Sequence, residues 1–331
     1  MRTQPLAIAA LVAASGIVLT ACSSDDASAP EASGSASAAA AVEPTTLTVT
    51  SPAGSTIEMP AEPESALGFY TTDIDMLITL GFSLAEEQPI REDFTTFPSF
   101  FPQEELEGIT GFANFPEYNL EKILQVGPDF ILNGLGYEET LDGDLQAIAP
   151  TYTYNAFDGA DWRDSFEKLA ADLGRTEQWQ AWNDAYEAKV AEVRAGIDEA
   201  GIDPVVADVS YWNGEVSAGC YGVPCLVLAD LGLSLSPLMN ADEAGLPAGD
   251  STVFSNEQLG DLDSIDVVFT GVNEDGSGNM ADDETLSANA LWKDLGFVKD
   301  GEIYGYNYEM AYGSPSGQMA FLEVIEKALL G

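Results

Sequence analysis

Thr176–Ala200 reads TEQWQAWNDAYEAKVAEVRAGIDEA, and this stretch decides how the rest of the chain is organised. It contains no proline, and its only glycine is Gly196. Its large apolar residues recur at spacings of three and four, which places them on one helix face: Trp179, Trp182, Tyr186, Val190, Val193 and Ile197. About 24 residues in a helix form a rod of roughly 36 Å. Such a rod could cross between two lobes, although an ordinary long surface helix would show the same pattern.

Short β patterns alternate with helical patterns before this segment. The two runs Thr46–Thr50 and Ser55–Met59 are separated by a Pro-Ala-Gly turn and predict a hairpin. Asn119 is placed to cap a short helix that ends at Gly127. The remaining predicted strands are Ala66–Tyr70, Asp129–Asn133 and Thr151–Tyr154, and the remaining predicted helices are Asp73–Leu80, Glu138–Ile148 and Trp162–Leu173.

The same alternation resumes after Gly201. The predicted strands are Val205–Trp212, Asp266–Gly271 and Glu302–Tyr306, and the predicted helices are Val223–Leu231, Asn256–Asp261 and Pro315–Leu330. Alternating strands and helices predict parallel sheets that are covered by helices. The predicted fold is therefore α/β with two lobes, each a mainly parallel sheet flanked by helices, joined by one long backbone helix. The expected boundaries are 45–175 for the N-terminal lobe, 176–200 for the bridging helix and 201–331 for the C-terminal lobe.

The N-terminus has the pattern of a secretion signal that stops at a cysteine. Arg2 precedes the apolar run 6–19, which is too short for a comfortable membrane span. The ending Leu-Thr-Ala-Cys at 19–22 resembles a bacterial lipoprotein signal, in which Cys22 becomes lipidated. Residues 23–44 are rich in Ser, Ala and Pro and predict a flexible linker. An ordinary signal peptide with a chance cysteine is the alternative.

Composition excludes several classes of function. The chain has 56 acidic residues against 11 Lys and Arg, for a net charge of −45, which argues against nucleic acid as a partner. This charge indicates either a solvated acidic surface or a ligand that is neutral or cationic. The absence of histidine removes the serine protease triad and the paired-histidine zinc motifs. A carboxylate-dependent extracellular hydrolase stays as a remote alternative to a protein that is not an enzyme.

Four motifs in order resemble one family. They are Tyr118–Leu124 with Gly127–Leu132, Phe254–Leu259 with Ile265–Phe269, Leu291–Leu295 with Val298–Tyr304, and the closing segment Pro315–Leu330. Together they are similar to substrate-binding proteins of ABC importers for ferric siderophores, haem and cobalamin, the helical-backbone class III of periplasmic binding proteins. The resemblance covers about residues 45–331. It implies a monomer that captures a ferric siderophore at the outer face of the bacterial cell membrane, attached there only by its lipid, and that needs no cofactor.

The resemblance also implies how the protein meets its permease. In this family one glutamate near the tip of each lobe pairs with permease arginines, and the matching residues are Glu121 and Glu257. Opposite charges at the rim of an interface speed encounter and fix register. The alternative is that both are ordinary acids in the first turn of a helix, where the dipole favours them.

The ligand is expected between the lobes, at the loops that follow the strand ends. The candidate contacts are Phe69, Tyr70, Thr71, Arg91, Phe115, Tyr118, Asn133, Tyr137, Trp212, Tyr308, Met310 and Tyr312. Core or hinge packing is the alternative for each aromatic residue. Few arginines follow the signal, so a neutral or cationic hydroxamate chelate fits better than an anionic catecholate. Haem and cobalamin stay as alternatives, and no protein metal ligand is required, because the siderophore surrounds the iron.

Two smaller sequence features are a pair of cysteines and a segment that is similar to a calcium-binding loop. Cys220 and Cys225 form either a small extracellular disulfide loop or two free buried thiols. Residues 273–284 approach the spacing of a calcium loop, but the first position is Asn273 where Asp is expected, and a strand pattern precedes it. The segment is therefore interpreted as a Gly-rich surface loop.

Overall fold

Strands and helices alternate along residues 45–331, the part of the chain that the computed structural model describes. The predicted signal, its Cys22 and the linker 23–44 lie outside the described residues. No helix among residues 45–331 is both long enough and apolar enough to cross a membrane.

The N-terminal lobe contains seven short strands and four helices. Its strands are β1 (Thr46–Thr50), β2 (Thr56–Pro60), β3 (Ala66–Gly68), β4 (Glu87–Arg91), β5 (Thr110–Phe115), β6 (Phe130–Asn133) and β7 (Thr151–Thr153). Its helices are α1 (Thr71–Thr79), α2 (Leu120–Val126), α3 (Leu141–Gln146) and α4 (Trp162–Asp172). β1 and β2 form an antiparallel hairpin, β3, β6 and β7 form a parallel sheet in that order, and β4 pairs parallel with β5.

The bridging helix α5 spans Thr176–Ala200, the same residues that the apolar spacing predicts. Tyr186, Val193 and Ile197 are buried along one face, and the helix packs against α1, α4 and the C-terminal helix Pro315–Leu330. The helix ends at Gly201, whose φ of 67° is the left-handed conformation that glycine adopts at helix ends.

The C-terminal lobe is built on a six-stranded sheet. Its strands are β8 (Val205–Trp212), β9 (Glu215–Ala218), β10 (Ser234–Leu235), β11 (Thr252–Phe254), β12 (Val267–Val272) and β13 (Ile303–Asn307). The order is β11-β9-β8-β12-β13, β10 also pairs with β8, and the pairs among β8, β10, β12 and β13 are parallel. Its helices are α6 (Gly222–Asp230), α7 (Glu284–Ala288), α8 (Ala290–Asp294), α9 (Gly296–Asp300) and α10 (Pro315–Leu330).

Helix α10 connects the lobes as well as closing the chain. It packs against α5, α6 and α1. At its first turn, Ser316 donates from its backbone N and its Oγ to Asp75 of α1, both at 2.7 Å. Two residues further on, Gln318 Oε1 accepts from Trp162 Nε1 of α4 at 2.7 Å. These buried polar contacts fix the two lobes relative to each other at one end of α10.

Several regions differ from the sequence predictions, and among them are β9, β10, β11 and helices α7 to α9 of the C-terminal lobe, for which no element is predicted. β4 and β5 occupy a region in which no strand is predicted. The predicted helix 256–261 is instead the 3-10 helix Leu259–Ser264, whose buried residues Leu259 and Leu262 are three apart, which is the period of a 3-10 helix. Helix α3 is shorter than predicted because the segment 138–140 forms a turn before it.

Candidate functional site

A connected set of aromatic rings lies where strands of both lobes end. We call it the aromatic cluster, and its members are Tyr70, Phe94, Phe115, Tyr118, Tyr137, Phe157, Tyr308 and Tyr312. Ring centroids are separated by 5.4 Å for Tyr70 and Phe115, 5.7 Å for Phe157 and Tyr312, and 6.1 Å for Phe94 and Tyr308. Tyr70 also reaches Tyr312 at 6.2 Å, so rings of the N-terminal lobe meet rings of the C-terminal lobe. The carboxyl ends of parallel strands are the usual place for a ligand in α/β folds.

Arg91, the last residue of β4, is the cation of this cluster. Its guanidinium carbon lies 5.7 Å from the ring centre of Phe94, 5.3 Å from that of Phe115 and 5.4 Å from that of Tyr308. Its Nε is 3.1 Å from Oδ1 of Asp93. Partial burial lowers the pKa of Arg91, but hydrogen bonds with Asp93 and Tyr70 more than offset this, so the net shift is upward and Arg91 is always charged.

Glu309 places a second carboxylate beside this arginine. Its Oε1 lies 3.5 Å from Nε of Arg91, and the residue is only 2% exposed. Burial raises the pKa of Glu309 to about 8, although Arg91 pulls it down. Burial and the charge of Glu309 in turn raise the pKa of Tyr70, so its hydroxyl stays protonated and can donate a hydrogen bond.

A cavity of about 210 Å³ adjoins the cluster and is walled by both lobes. It shares Phe157 and Tyr312 with the cluster, and Trp162, Tyr221 and Leu246 also line it. A larger cavity of about 550 Å³ lies at the base of the C-terminal lobe. We place the site at the smaller cavity, because the larger one touches no ring of the aromatic cluster and lies within a single lobe.

Two glycines allow the walls of the smaller cavity to approach each other closely. Gly222 has a φ of +58°, and a Cβ there would collide with the carbonyl oxygen of Ala311. Gly313 has a φ of +89°, and a Cβ there would lie 2.6 Å from Cγ of Trp162. Glycine is required at both positions by conformation and by space.

The predicted contact residues fall into three groups: those in or beside the aromatic cluster, those buried outside it, and the exposed Trp212. Arg91, Tyr70, Phe115, Tyr118, Tyr137, Tyr308 and Tyr312 lie in or on the aromatic cluster, and Phe69 packs behind it against Tyr118 at 5.3 Å. Thr71, Asn133 and Met310 are buried, and the Asn133 amide donates to Oγ1 of Thr153 at 3.2 Å, which is a structural contact. Trp212 stands at the tip of the β8-β9 hairpin and is 77% exposed, with no ring contact among residues 45–331.

Sequence reasoning did not select Asp93, Phe94, Phe157 or Glu309. Asp93 and Phe94 follow a strand that was not predicted. Phe157 lies in the loop after β7. It could have been selected by the expectation that ligands bind at the carboxyl ends of parallel strands. Glu309 stands between two selected residues, Tyr308 and Met310, but in so acidic a chain nothing marks one glutamate as buried.

The remaining arginines of residues 45–331 are engaged elsewhere. Arg163 pairs with Asp161 and Asp230, and Arg194 donates to backbone carbonyls at the end of α6. Arg175 pairs with Glu62 and lies 4.7 Å from the ring centre of Phe82. Arg91 is therefore the guanidinium available to a ligand in the described part of the cleft.

The two predicted docking glutamates are both exposed. Glu121 lies in the first turn of α2, beside Leu124, which is 61% exposed. Glu257 follows β11, and its Oε2 accepts from Oγ of Ser255 at 3.4 Å.

The structure also tests the predictions for the cysteine pair and for the segment 273–284. Cys220 and Cys225 form a disulfide with Cα atoms 5.2 Å apart, at the beginning of α6 and next to Tyr221. Within residues 45–331, no three acidic or cysteine side chains are grouped so that they could hold a metal ion, so the calcium interpretation of 273–284 gains no support.

Comparison of the sequence with known proteins gives relatives in Bacillus subtilis (strain 168). The chain is 26% identical to its iron(3+)-hydroxamate-binding protein FhuD over 196 residues, which is 56% of this chain and 58% of that protein. It is 23% identical to the probable siderophore-binding lipoprotein YfiY over 298 residues, which is 87% of this chain and 86% of that protein. The first match thus spans less than two thirds of its relative, and the second spans most of it.

Comparison with solved structures supports the fold. The FhuD protein from S. pseudintermedius superposes with a TM-score of 0.65 at 17% identity, over 86% of this chain and 98% of that one. FhuD2 from Staphylococcus aureus with bound ferrioxamine B superposes with a TM-score of 0.61 at 17% identity, over 81% of this chain and 98% of that one. At such identities these structures establish the two-lobed architecture alone.

A family model described as periplasmic binding protein matches residues 92–309, more than half of the chain. That range begins just after Arg91, includes the whole of α5 and ends at Glu309, so it spans both lobes and the cleft between them. The chain belongs to the periplasmic binding protein family, in the class whose two lobes are joined by one long helix.

Proposed function

We propose that the protein captures a ferric siderophore of the hydroxamate type outside the cell and delivers it to an ABC permease. The observation that carries the proposal is Arg91, which lies among aromatic rings from both lobes. A guanidinium can donate to the iron-bound oxygens of a hydroxamate chelate, and flat aromatic faces can pack against its apolar backbone. The names of the relatives FhuD and YfiY point in the same direction.

The charge of the cleft favours hydroxamates over catecholates. Triscatecholate complexes of iron are strongly anionic and call for several cations, whereas this cleft offers one guanidinium beside Asp93 and Glu309. A neutral or cationic chelate avoids the repulsion that a trianion would meet there.

A tryptophan fluorescence titration tests the ligand class. Purified protein is titrated with ferric hydroxamates, ferric catecholates, haem and cobalamin, and quenching is expected from the first group with little response to catecholates. The variant Arg91→Gln should weaken hydroxamate binding by about tenfold or more, since it removes a charged hydrogen-bond donor. Arg194→Gln is the matched control, because Arg194 donates to backbone carbonyls at the end of α6. Tight binding of haem or cobalamin with no response to hydroxamates would contradict the proposal.

Delivery is proposed to depend on Glu121 and Glu257. Both are exposed acids on different lobes, so together they could pair with two arginines of a symmetric or pseudo-symmetric permease. The charge reversals Glu121→Arg and Glu257→Arg should leave chelate affinity unchanged and abolish stimulation of the permease ATPase in reconstituted vesicles. Glu177→Arg, an exposed acid on α5, is the control. Undiminished stimulation by both reversals would refute this role.

Anchoring is proposed to occur through a lipid on Cys22. The name of YfiY as a lipoprotein supports this placement. Replacing Cys22 by Ser should release the protein from the membrane fraction into the medium or periplasm, while binding by the folded part stays intact.

A protein that only binds and delivers a chelate is expected to be a monomer without enzymatic turnover. Size-exclusion chromatography with light scattering measures the oligomeric state, and analysis of the chelate after incubation shows whether the protein has converted it to a product.

A further inference from the structure

Two carboxylates share one arginine in the cleft. Nε of Arg91 lies 3.1 Å from Oδ1 of Asp93 and 3.5 Å from Oε1 of Glu309. The exposed Asp93 has the better geometry, because a second contact joins Nη2 of Arg91 to its Oδ2 at 3.3 Å. If both acids were ionised, the side chains of Arg91, Asp93 and Glu309 would together carry a net charge of −1.

Glu309 is the acid whose side chain lacks hydrogen-bond partners within residues 45–331. It is 2% exposed, and neither of its side-chain oxygens has a hydrogen-bond partner among residues 45–331. A buried polar group without a hydrogen bond is costly, and such groups in native structures call for an explanation. The groups that face it are Arg91 at the end of β4, Asp93 just after β4, Tyr70 before α1, and Tyr308 and Tyr312, which lie with Glu309 in the 3-10 helix Tyr308–Tyr312. Arg91 is the only cation among them.

We propose that Glu309 is a specificity-determining residue, which makes the cleft prefer ferric hydroxamate chelates that carry a positively charged group over neutral chelates of the same shape. The proposal rests on the proposed function and adds the charge of the ligand to it. Glu309 acts on the ligand through its charge, at the back of the aromatic cluster.

The physical reason is competition for Arg91. When the iron-bound oxygens of a chelate accept hydrogen bonds from Arg91, Glu309 loses part of its favourable interaction with Arg91. A cationic group on the chelate replaces that interaction and favours the ionised glutamate. A neutral chelate offers no replacement, so Glu309 must hold a proton when such a chelate is bound. An interaction between two opposite charges in such a partly buried site changes the affinity by about tenfold.

A matched pair of chelates isolates this effect. Ferrioxamine B carries a free ammonium group, and its N-acetylated form is neutral with the same iron-binding groups. The wild-type protein should bind the cationic chelate about tenfold more tightly at pH 8, as measured by fluorescence quenching. Glu309→Gln should bring the ratio of the two affinities close to one. Glu177→Gln makes the same change of charge on the exposed surface of α5 and should keep the wild-type ratio.

A second measurement needs no variant. Burial raises the pKa of Glu309 to about 8, so the carboxyl group of Glu309 is largely protonated in the ligand-free protein at pH 7. Binding of the cationic chelate should release part of a proton at pH 7, and binding of the neutral chelate should take up part of a proton at pH 9. Calorimetry in two buffers of different ionisation enthalpy measures both quantities. The preference for the cationic chelate should therefore grow from pH 6 to pH 9.

The outcomes separate the two proposals. If the wild-type protein binds both chelates equally at every pH, or if Glu309→Gln keeps the preference, the role of Glu309 is overturned while hydroxamate capture stands. If the wild-type protein binds neither chelate, the proposed function fails, and the inference fails with it. A preference that disappears in Glu309→Gln and persists in Glu177→Gln establishes the inference.

Discussion

Asp73 is the buried acid on which the first helix depends. Its Oδ2 accepts from the backbone N of Tyr70 at 2.9 Å and from that of Gly134 at 3.0 Å, and its Oδ1 accepts from the hydroxyl of Tyr154 at 2.8 Å. The same side chain therefore caps α1 and holds the loop after β6 beside it. Because Tyr70 precedes α1 and belongs to the aromatic cluster, Asp73 also fixes one ring of the candidate site.

We expect Asp73→Asn to lower the free energy of unfolding by about 1–3 kcal/mol, because an amide NH2 would face a donor where a carboxylate oxygen now accepts. Burial raises the pKa of Asp73 from 3.8 to about 7, despite its three hydrogen bonds. The native state thus holds this proton more tightly than the unfolded state, and stability falls as the pH rises from about 4 to about 7. Urea unfolding at pH 5 and pH 8 should show a smaller pH dependence in the variant. An equal pH dependence in both proteins would contradict this assignment.

Helices α5 and α10 approach closely at Gly196. A Cβ at this position would lie 2.6 Å from Cδ1 of Leu330, the last residue of α10, whose side chain can rotate away. Alanine is more favourable than glycine inside a helix by roughly 0.5–1 kcal/mol. We expect Gly196→Ala to raise the free energy of unfolding by about half a kcal/mol, as measured by urea unfolding.

Gly201, at the end of the same helix, provides the opposite control. Its φ of 67° is unfavourable for any residue with a Cβ, so Gly201→Ala should lower stability by about 1 kcal/mol. If Gly196→Ala is the more damaging of the two, then the close contact with α10 is rigid, and the packing of Leu330 matters more than helix propensity.

Elements with a complete local pattern could be predicted from sequence, and elements made by tertiary pairing could not. Helix α5 shows apolar residues at regular spacing from Trp179 to Ile197, and its predicted and observed bounds agree. β4 reads EQPIR, with Pro89 inside and a charge at each end, so its own residues favour no strand. It exists because its ladder with β5 and the packing of Ile90 stabilise it. The part of the site that follows β4, Asp93 and Phe94, was therefore not found.

At the scale of residues 45–331, the two lobes have little freedom to move about a hinge. One apolar core extends from Val49 of β1 to Ile325 of α10, so it crosses from one lobe to the other. The contacts of Asp75 with Ser316 and of Trp162 with Gln318 add buried hydrogen bonds between the lobes. A rotation of one lobe against the other would break these contacts and open the core, which is costly in a close-packed interior.

We therefore expect capture of a chelate to change the radius of gyration by less than about 1 Å, in contrast to binding proteins whose lobes close on flexible linkers. Small-angle scattering of residues 45–331 with and without ferrioxamine B measures this change. Asp75→Ala removes both hydrogen bonds to Ser316 and should increase the difference between the free and bound profiles. A large compaction of the wild-type protein would mean that α5 bends or that α10 leaves α1, and the rigid arrangement of the lobes would then belong to the bound state alone.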